Sequence, residues 1–245
     1  MTSIKKPVRI FHNARVHGLA VLLMIVFAAP VCVAKKGYLS EKQQPDILAL
    51  LPPPPVGVEQ AADMASVMAV HNAASSNELA GAKMEGNFSV FVFTPAIGDF
   101  FQPGKFPKTE AFFKRVRRDS DHIVDFGKEH WKRLRPINAN PALNWGVRDS
   151  SYSYPSGHST RATIYALLLA EIFPERKDEI LAIGRQTGWH RVEMAVHYPT
   201  DIFAGRVLAR AVVRQLKTDA KFQRDFAEVK AELTAAKTEA GNLKK

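Results

Sequence analysis

The chain has 245 residues and a formal net charge of +10, with 46% hydrophobic residues and a single cysteine, Cys32. This composition excludes a disulfide-rich small domain, which needs paired cysteines, and an intrinsically disordered chain, which lacks the apolar residues for a core. The positive charge suits a small anionic ligand, although many proteins without one carry a similar excess.

Residues 1–34 have the three-part layout of an export signal. The basic start contains Lys5, Lys6, Arg9 and Arg15. The apolar run covers 19–33, and the small residues before the cleavage position are Cys32 and Ala34. A membrane helix is the alternative, but the run is shorter than the ~20 apolar residues of a span and contains Pro30. We therefore predict a signal peptide cleaved after Ala34, with lipoprotein processing at Cys32 as a second option. The remaining 211 residues would have a net charge of +6, a periplasmic or secreted location and no stable insertion in a membrane.

Residues 35–58 form a polar and proline-rich segment that precedes the predicted domain. The sequence is polar over 35–50 and continues as LPPPP over 51–55. Consecutive prolines adopt a stiff, extended conformation. We expect 35–50 to be mobile and the proline run to be a spacer or a strap over the domain.

Helical periodicity dominates the rest of the chain. Predicted helices cover 59–75, 110–134, 160–173, 177–195, 200–217 and 219–238. The segment 160–173 is apolar nearly all round, which is typical of a helix in the middle of a bundle. SVFVF at 89–93 has strand-like alternation but could equally be buried helix. We predict an all-α fold over residues 59–240, a single-domain helical bundle with a central buried helix.

The stretch YSYPSGHSTR at 152–161 places a turn directly before the apolar central helix. The first backbone N–H groups of a helix have no partner within it, so a helix start can bind an anion. Ser156 and Gly157 lie at this start, and His158 follows them. The turn is therefore a candidate anion site with a titratable side chain beside it.

A second motif, KEHWKRLRP, places Lys128 and Arg135 seven residues apart. On one continuous helix that ends at Pro136, seven residues are nearly two turns. Both side chains would then emerge on one face, about 10 Å apart along the axis.

A third motif, HRVEMAVHYPTD, supplies Arg191, His197 and Asp201. Pro199 fits the first position of a new helix, which leaves His197 just before that helix and Asp201 in its first turn. The carboxylate of Asp201 would then be within reach of the imidazole of His197.

Each of these residues has an ordinary structural explanation when it is taken alone: a solvent-facing cation, a satisfied histidine, a capping aspartate. Together, three cations and backbone N–H groups could hold the oxygens of a phosphate without a metal ion. One neutral imidazole, oriented by a carboxylate, could attack phosphorus. A second, protonated imidazole could give a proton to the departing alcohol, a step worth ~10² to 10⁴ in rate.

The spacing K-x6-R-P, then P-S-G-H, then R-x5-H-x3-D resembles the PAP2 phosphatase and vanadium haloperoxidase superfamily. With the LPPPP segment, the length and the export signal, the chain is similar to the bacterial class A nonspecific acid phosphatases. The resemblance implies His197 as a nucleophile that forms a phosphohistidine, Asp201 as its orienting partner, and His158 as acid and later base. It also implies a phosphate-binding set without metal or cofactor and a possible homodimer. That set is Lys128, Arg135, Arg191, Ser156 and the backbone N–H of Gly157.

One position departs from the family pattern, because His190 stands where the family has a serine before the arginine. An imidazole at His190 could donate one N–H to phosphate in place of the hydroxyl, or add a positive charge when protonated. The alternative is that His190 turns away from the site.

We expect an exported acid phosphatase acting on a broad range of phosphate monoesters, such as nucleotides, sugar phosphates and aryl phosphates, with inorganic phosphate or vanadate as inhibitors. The alternatives are a lipid-phosphate phosphatase, a vanadate-dependent haloperoxidase-like enzyme and an inactive phosphate-binding relative. We expect no nucleic-acid partner, because a charge of +6 over 211 residues is modest and the basic residues coincide with the predicted pocket. Five phenylalanines of the segment 78–110 are candidate walls for the leaving group, without an indication of which ones face the site: Phe88, Phe91, Phe93, Phe100 and Phe101.

Overall fold

The computed structural model describes residues 37–84, 88–143 and 150–242, so the predicted signal peptide lies outside the described residues. Within these ranges the chain forms α-helices joined by loops and short 3-10 turns, with no strand. The α-helices are α1 Gln44–Leu48, α2 Gly57–Ala73, α3 Ser76–Met84, α4 Thr94–Ile97, α5 Pro107–Trp131, α6 Pro136–Ala139, α7 Gly157–Ile172, α8 Lys177–Glu193, α9 Pro199–Leu216 and α10 Ala220–Asn242. The all-α prediction is confirmed.

Helix α7 is the central helix of the bundle. It packs against α8, α9 and α5, and α10 packs mainly against α5, with a smaller contact to α7. Two glycines allow the closest approaches, since a Cβ at Gly184 of α8 would lie 2.9 Å from the Cβ of Ala166 and one at Gly205 of α9 would lie 2.8 Å from the carbonyl oxygen of Ser156. The predicted central buried helix is therefore present, and α9 is held directly against its start.

The start of α7 is three residues earlier than the sequence pattern predicts. Ser156 is the N-cap, and its side-chain oxygen accepts from the N–H of Ser159 at 3.4 Å. The polar residues His158 and Ser159 hid this first turn, because only the apolar residues that follow have the expected pattern. His158 consequently belongs to the helix rather than to the preceding turn.

Helix α5 ends earlier than predicted, and this corrects the proposed common face of Lys128 and Arg135. Lys132 has a left-handed backbone (φ 48°), which terminates the helix after Trp131. Arg135 is extended (φ −70°, ψ 153°) and caps α6, which begins at Pro136. A residue before proline disfavours the helical conformation, so Pro136 starts a helix instead of ending one.

The expectation that residues 35–50 are mobile is wrong for the described part of this segment. Tyr38, Ile47 and Leu48 are buried in the main hydrophobic core. The backbone N–H of Tyr38 also donates to a carboxylate oxygen of Asp119 at 2.8 Å. Tyr38 and one apolar neighbour stand in a polar stretch, and the apolar run that begins at Ile47 is only five residues long before the prolines.

The proline run has no helical structure, and the carbonyl of Pro52 accepts a hydrogen bond from the hydroxyl of Tyr154. This contact fits the strap rather than the spacer. The ambiguous SVFVF stretch contains a 3-10 helix, Val90–Phe93. In the described part of the chain, no helix has both the length and the apolar character that crossing a membrane requires.

Candidate active site

The loop between α8 and α9 fixes His197 beside the start of α9. The backbone N–H groups of Val196 and His197 both donate to the carbonyl of Arg191 at 3.1 Å. Asp201, in the first turn of α9, accepts the N–H of Tyr198 on Oδ2 at 2.8 Å, and the same oxygen lies 3.3 Å from Nδ1 of His197. Both side chains are buried. A short local segment therefore places a carboxylate against one nitrogen of a buried imidazole.

The neighbours of His197 define which of its nitrogens is available for chemistry. Nδ1 faces a carboxylate, which accepts when ionised, and Nε2 lies 3.0 Å from Nη1 of Arg135, which can only donate. These contacts assign the proton of the neutral ring to Nδ1 and the lone pair to Nε2. Nε2 is therefore the nitrogen that can act as a nucleophile.

Lys128 and Arg135 converge on one oxygen atom although they do not share a helix. Nζ of Lys128 and Nη2 of Arg135 lie 3.2 and 2.9 Å from Oγ of Ser151. The Arg135 guanidinium is fixed by further bonds from Nε to the carbonyl of Ser151 and from Nη1 to the carbonyl of Val196, both 2.8 Å. Two cations thus meet at a neutral hydroxyl, in a position that suits an anionic oxygen better.

Arg133 is a site residue that the sequence analysis missed. Its guanidinium is buried and uses all five N–H donors in bonds of 2.6 to 3.1 Å. The acceptors are Oδ1 of Asp201 and Oγ1 of Thr200 on α9, and Asp63 and Gln60 on α2. Arg133 was overlooked because a helix running to residue 134 would have put it on an ordinary charged surface.

Arg133 also stacks on the residue that precedes α9, since its Cζ lies 3.8 Å from the centre of the Tyr198 ring. Burial raises the pKa of the Asp201 carboxyl, and the Arg133 guanidinium is the strongest influence against that rise. Ser153, also missed, donates its hydroxyl to Oδ2 of Asp201. Arg133 and Ser153 thus favour the ionised carboxylate that orients His197.

The PSGH turn lies directly beside the start of α9. The N–H of Ser156 donates to the carbonyl of Asp201 at 3.1 Å, and Oγ of Ser159 donates to the carbonyl of Ile202 at 2.8 Å. Gly157 approaches α5, where an added Cβ would lie 3.3 Å from Val124. The starts of α7 and α9 are therefore neighbours, and the start of α7 lies next to the His197 loop.

His158 is half-buried in the first turn of α7. Its ring centre lies 5.6 Å from that of Phe88. Of the five candidate phenylalanines, Phe93 and Phe101 are fully buried in the core, whereas Phe88 is the one in contact with His158.

Arg191 and His190 occupy the last turn of α8. Arg191 is buried, its carbonyl holds the His197 loop, and its Nη1 lies 3.2 Å from the sulfur of Met194. Hydrogen bonds from Ser75 lower the pKa of the Glu78 carboxyl on α3, and the charge of His190 adds to this effect. His190 is therefore close to α3, while Arg191 is part of the His197 loop.

The described bonds join Lys128, Arg135, Ser156, His197 and Asp201 in one cluster. Gly157 and His158 are adjacent to that cluster through Ser156. Within the described ranges, no three His, Cys, Asp or Glu side chains are grouped so that they could hold a metal ion.

Comparison with known proteins identifies the domain in which this cluster lies. The PAP2 superfamily model matches residues 120–223, which include the predicted catalytic and phosphate-binding residues and Arg133, but not Gln60 and Asp63 on α2 or Phe88 beside His158. The fold is similar to that of a transmembrane PAP2 type phosphatidylglycerolphosphate phosphatase from Bacillus subtilis, with a TM-score of 0.50 and 23% identity over 71% of this chain and 90% of the other. Residues 120–223 thus form a PAP2 superfamily domain, and the structural neighbour shares its fold.

Proteins of similar sequence indicate a more specific family. The chain is 30% identical over 217 residues to a non-specific acid phosphatase of Providencia stuartii, covering 82% of this chain and 86% of that one. It is also 30% identical over 149 residues to a non-specific acid phosphatase of Salmonella typhimurium, covering 58% and 59% of the two chains. The chain belongs to the PAP2 superfamily and, within it, to the family of the non-specific acid phosphatases.

Proposed function

We propose that this protein is an acid phosphatase that hydrolyses phosphate monoesters through a phosphohistidine at His197, without a metal ion. The observation that carries the proposal is the environment of His197, with Nδ1 against Asp201 and Nε2 facing the guanidinium of Arg135. Membership of the non-specific acid phosphatase family supports the reaction class.

In the first step, Nε2 of His197 attacks phosphorus and an N–P bond forms as the P–O bond to the alcohol breaks. Lys128, Arg135, Arg191 and the N–H groups at the start of α7 stabilise the charge on the phosphoryl oxygens. The hydroxyl of Ser151 accepts from both Lys128 and Arg135, and we propose that a phosphate oxygen replaces it. His158 gives its proton to the departing alcohol oxygen.

In the second step, a water molecule attacks the phosphohistidine. His158, now neutral, takes a proton from that water, the N–P bond breaks, and inorganic phosphate leaves. Asp201 keeps the proton of His197 on Nδ1 throughout, so the lone pair of Nε2 is regenerated for the next cycle.

The direct test is the hydrolysis of nitrophenyl phosphate by wild type and by His197→Ala. Loss of the nucleophile should lower kcat by about 10⁴-fold or more. Circular dichroism provides the control, since both proteins should have the same helical signal. A variant that keeps wild-type kcat would eliminate His197 as the nucleophile.

The proposal requires opposite protonation states of two histidines in the first step. His197 must be neutral and His158 protonated, so kcat/KM should have a bell-shaped dependence on pH. His158→Asn should remove the alkaline limb of this profile, which reports the protonated acid. The loss of kcat/KM should be smaller for nitrophenyl phosphate, whose leaving group needs little protonation, than for an alkyl phosphate.

Metal independence and the haloperoxidase alternative have separate tests. Hydrolysis should be unchanged after dialysis against a chelator, whereas a metal-dependent enzyme would lose activity that added metal restores. Vanadate should inhibit the phosphatase because it resembles the five-coordinate state of phosphorus. Halide oxidation with vanadate and peroxide would instead favour the haloperoxidase-like function.

Export, substrate range and homodimer formation are part of the proposal. Fractionation of producing cells should place the protein in the periplasm, with a mature N-terminus at Lys35. A panel of nucleotides, sugar phosphates, aryl phosphates and lipid phosphates under one set of conditions ranks the substrates, and preferential turnover of the lipids would favour the lipid-phosphate alternative. Light scattering after gel filtration measures the oligomeric state.

A further inference from the structure

The outer face of α9 is basic and carries one large aromatic side chain. Phe203 is 58% exposed, and Arg210 and Arg214 are exposed as well. Arg210 and Arg214 follow Phe203 by seven and eleven residues, so the three side chains lie on one face of the helix over a length of about 16 Å. Asp201 is the one acid of α9, and it is buried beside Arg133. The helix therefore supplies no carboxylate to neutralise this face.

Two further arginines widen this face toward α8. Nη2 of Arg206 lies 3.5 Å from the carbonyl oxygen of Arg185 on α8, and Nη1 of Arg210 lies 3.2 Å from the carbonyl oxygen of Arg206. Burial lowers the pKa of the Arg206 guanidinium, and the charges of Arg185 and Arg210 lower it further. In the part of the chain that the structure describes, none of these three arginines forms an ion pair with a carboxylate. One aromatic and four basic side chains make up this basic face: Phe203, Arg185, Arg206, Arg210 and Arg214.

The composition and length of the basic face favour an extended anionic surface over a single small anion. Guanidinium groups bind phosphate oxygens through two parallel N–H bonds, so each arginine suits a phosphate group. One small anion among Arg185, Arg206 and Arg210 would leave Arg214 and Phe203 without a role. A phospholipid surface presents many phosphates side by side, and its head-group layer accepts an aromatic ring. All five side chains can contact such a surface at the same time.

We propose that the basic face binds the phosphate groups of an anionic phospholipid surface, with the ring of Phe203 in the head-group layer. The four arginines supply the attraction to the negative charge, which weakens as salt screens it. Phe203 adds buried apolar area, a contribution that salt does not screen. This association is peripheral and requires no membrane-spanning helix, and it does not depend on the proposed reaction.

Sedimentation with lipid vesicles tests the proposal on the purified protein, whose N-terminus is determined first. The wild type should bind phosphatidylcholine vesicles that contain about 30% phosphatidylglycerol more tightly than vesicles of phosphatidylcholine alone, and added salt should weaken this binding. Arg185→Gln combined with Arg210→Gln removes two exposed cations. This double variant should bind the anionic vesicles about 20- to 30-fold more weakly, at about fivefold for each arginine. Phe203→Ala should bind them about three- to tenfold more weakly at every salt concentration.

The matched control removes the same charge from another surface. Arg224→Gln combined with Lys230→Gln changes two exposed residues of α10, which packs mainly on α5. This control should lose less than about threefold in vesicle binding, because charges on another surface are largely screened. All variants keep one N-terminus, so residues 1–34 contribute equally to each. Turnover of nitrophenyl phosphate in solution should be the same in all of these proteins, since none of the changed residues belongs to the active site.

Three results would overturn the proposal. The first is that the wild type does not bind the anionic vesicles. The second is an equal loss of binding in the two double variants, which would mean that binding follows net charge and not this face. The third is that a DNA duplex, and not the vesicles, binds through Arg185 and Arg210, which would identify a soluble polyanion as the partner.

Discussion

Arg133 is the residue whose side chain connects Asp201 to α2. Nη1 lies 2.6 Å from Oδ1 of Asp201, and Nη2 lies 2.7 Å from Oδ2 of Asp63. A buried ion pair of this kind is costly to break, because removal of one partner leaves an uncompensated buried charge. We therefore propose that Arg133 is a positioning residue, which acts on the reaction through Asp201 and His197.

Replacement of Arg133 by Met should lower the free energy of unfolding by about 3–5 kcal/mol. Arg133→Lys should recover only part of this loss, because an ammonium cannot reproduce five N–H bonds in a planar fork. Urea unfolding measures both variants. Arg210→Met is the control, since Arg210 is exposed on the same helix as Asp201, and its free energy of unfolding should remain near that of wild type.

Replacement of Arg133 by Met should also change the dependence of kcat/KM on pH. The Arg133 guanidinium opposes the raised pKa of the Asp201 carboxyl, so its removal raises that pKa further. As the pH falls, Asp201 would then become protonated at a higher pH than in wild type. The protonated carboxyl would no longer orient His197. The acid limb of kcat/KM for Arg133→Met should therefore move to higher pH than in wild type, whereas Arg133→Lys, which keeps the positive charge, should move it less. A lower kcat/KM with an unmoved acid limb would mean that Arg133 has only a structural role.

At the scale of elements, the contact between α7 and α9 sets the spacing between the PSGH turn and the His197 loop. A Cβ on Gly205 would lie 2.8 Å from the carbonyl oxygen of Ser156 and 2.9 Å from the Cβ of Ser159. Since the first neighbour is backbone, α9 would have to move away from α7. The two starts of these helices would then separate.

Gly205→Ala should lower the free energy of unfolding by about 1–3 kcal/mol, the usual cost of overpacking, and should also lower kcat. Gly81→Ala is the matched control, because a Cβ there has no neighbour within 4 Å and Gly81 lies inside α3. Thermal melts and turnover of nitrophenyl phosphate compare the two. Unchanged stability and kcat in Gly205→Ala would show that α7 and α9 do not need this spacing.

The elements also explain how much the sequence alone predicted. The buried helix over 160–173 was predictable because its own sequence places apolar residues on nearly every face. The start of α9 was predictable from Pro199. The end of α5 was not, because a lysine in the left-handed conformation has no clear sequence signal. That error hid Arg133, whose partners Gln60 and Asp63 are about 70 residues away in the chain and come together with it only in the fold.

At the scale of the whole molecule, buried tyrosines make the free energy of unfolding depend on pH in the alkaline range. Burial raises the pKa of Tyr165 from 10.0 to about 12, and burial also raises the pKa values of Tyr38 and Tyr154. A tyrosine whose pKa is raised in the folded state stabilises the folded protein fully below pH 10. This stabilisation is lost as the pH rises through the folded-state pKa. The free energy of unfolding should therefore fall between pH 10 and 12, with about 2–3 kcal/mol of the fall due to Tyr165.

Tyr165→Phe removes this titrating group and should have a shallower decline over the same pH range. Urea unfolding at pH 9 and pH 11 measures the decline, and Tyr152→Phe, at a partly exposed position, is the control. An identical decline in wild type and Tyr165→Phe would exclude the contribution of Tyr165.

Trapping of the covalent intermediate tests the central claim most directly. The protein is mixed with a phosphate monoester, quenched in alkali, where a phosphorus–nitrogen bond survives, and digested for mass spectrometry. We predict a phosphoryl group on His197 in the wild type, and no phosphoryl group in His197→Ala. A phosphoryl group on any other residue, or its persistence in His197→Ala, would contradict the account.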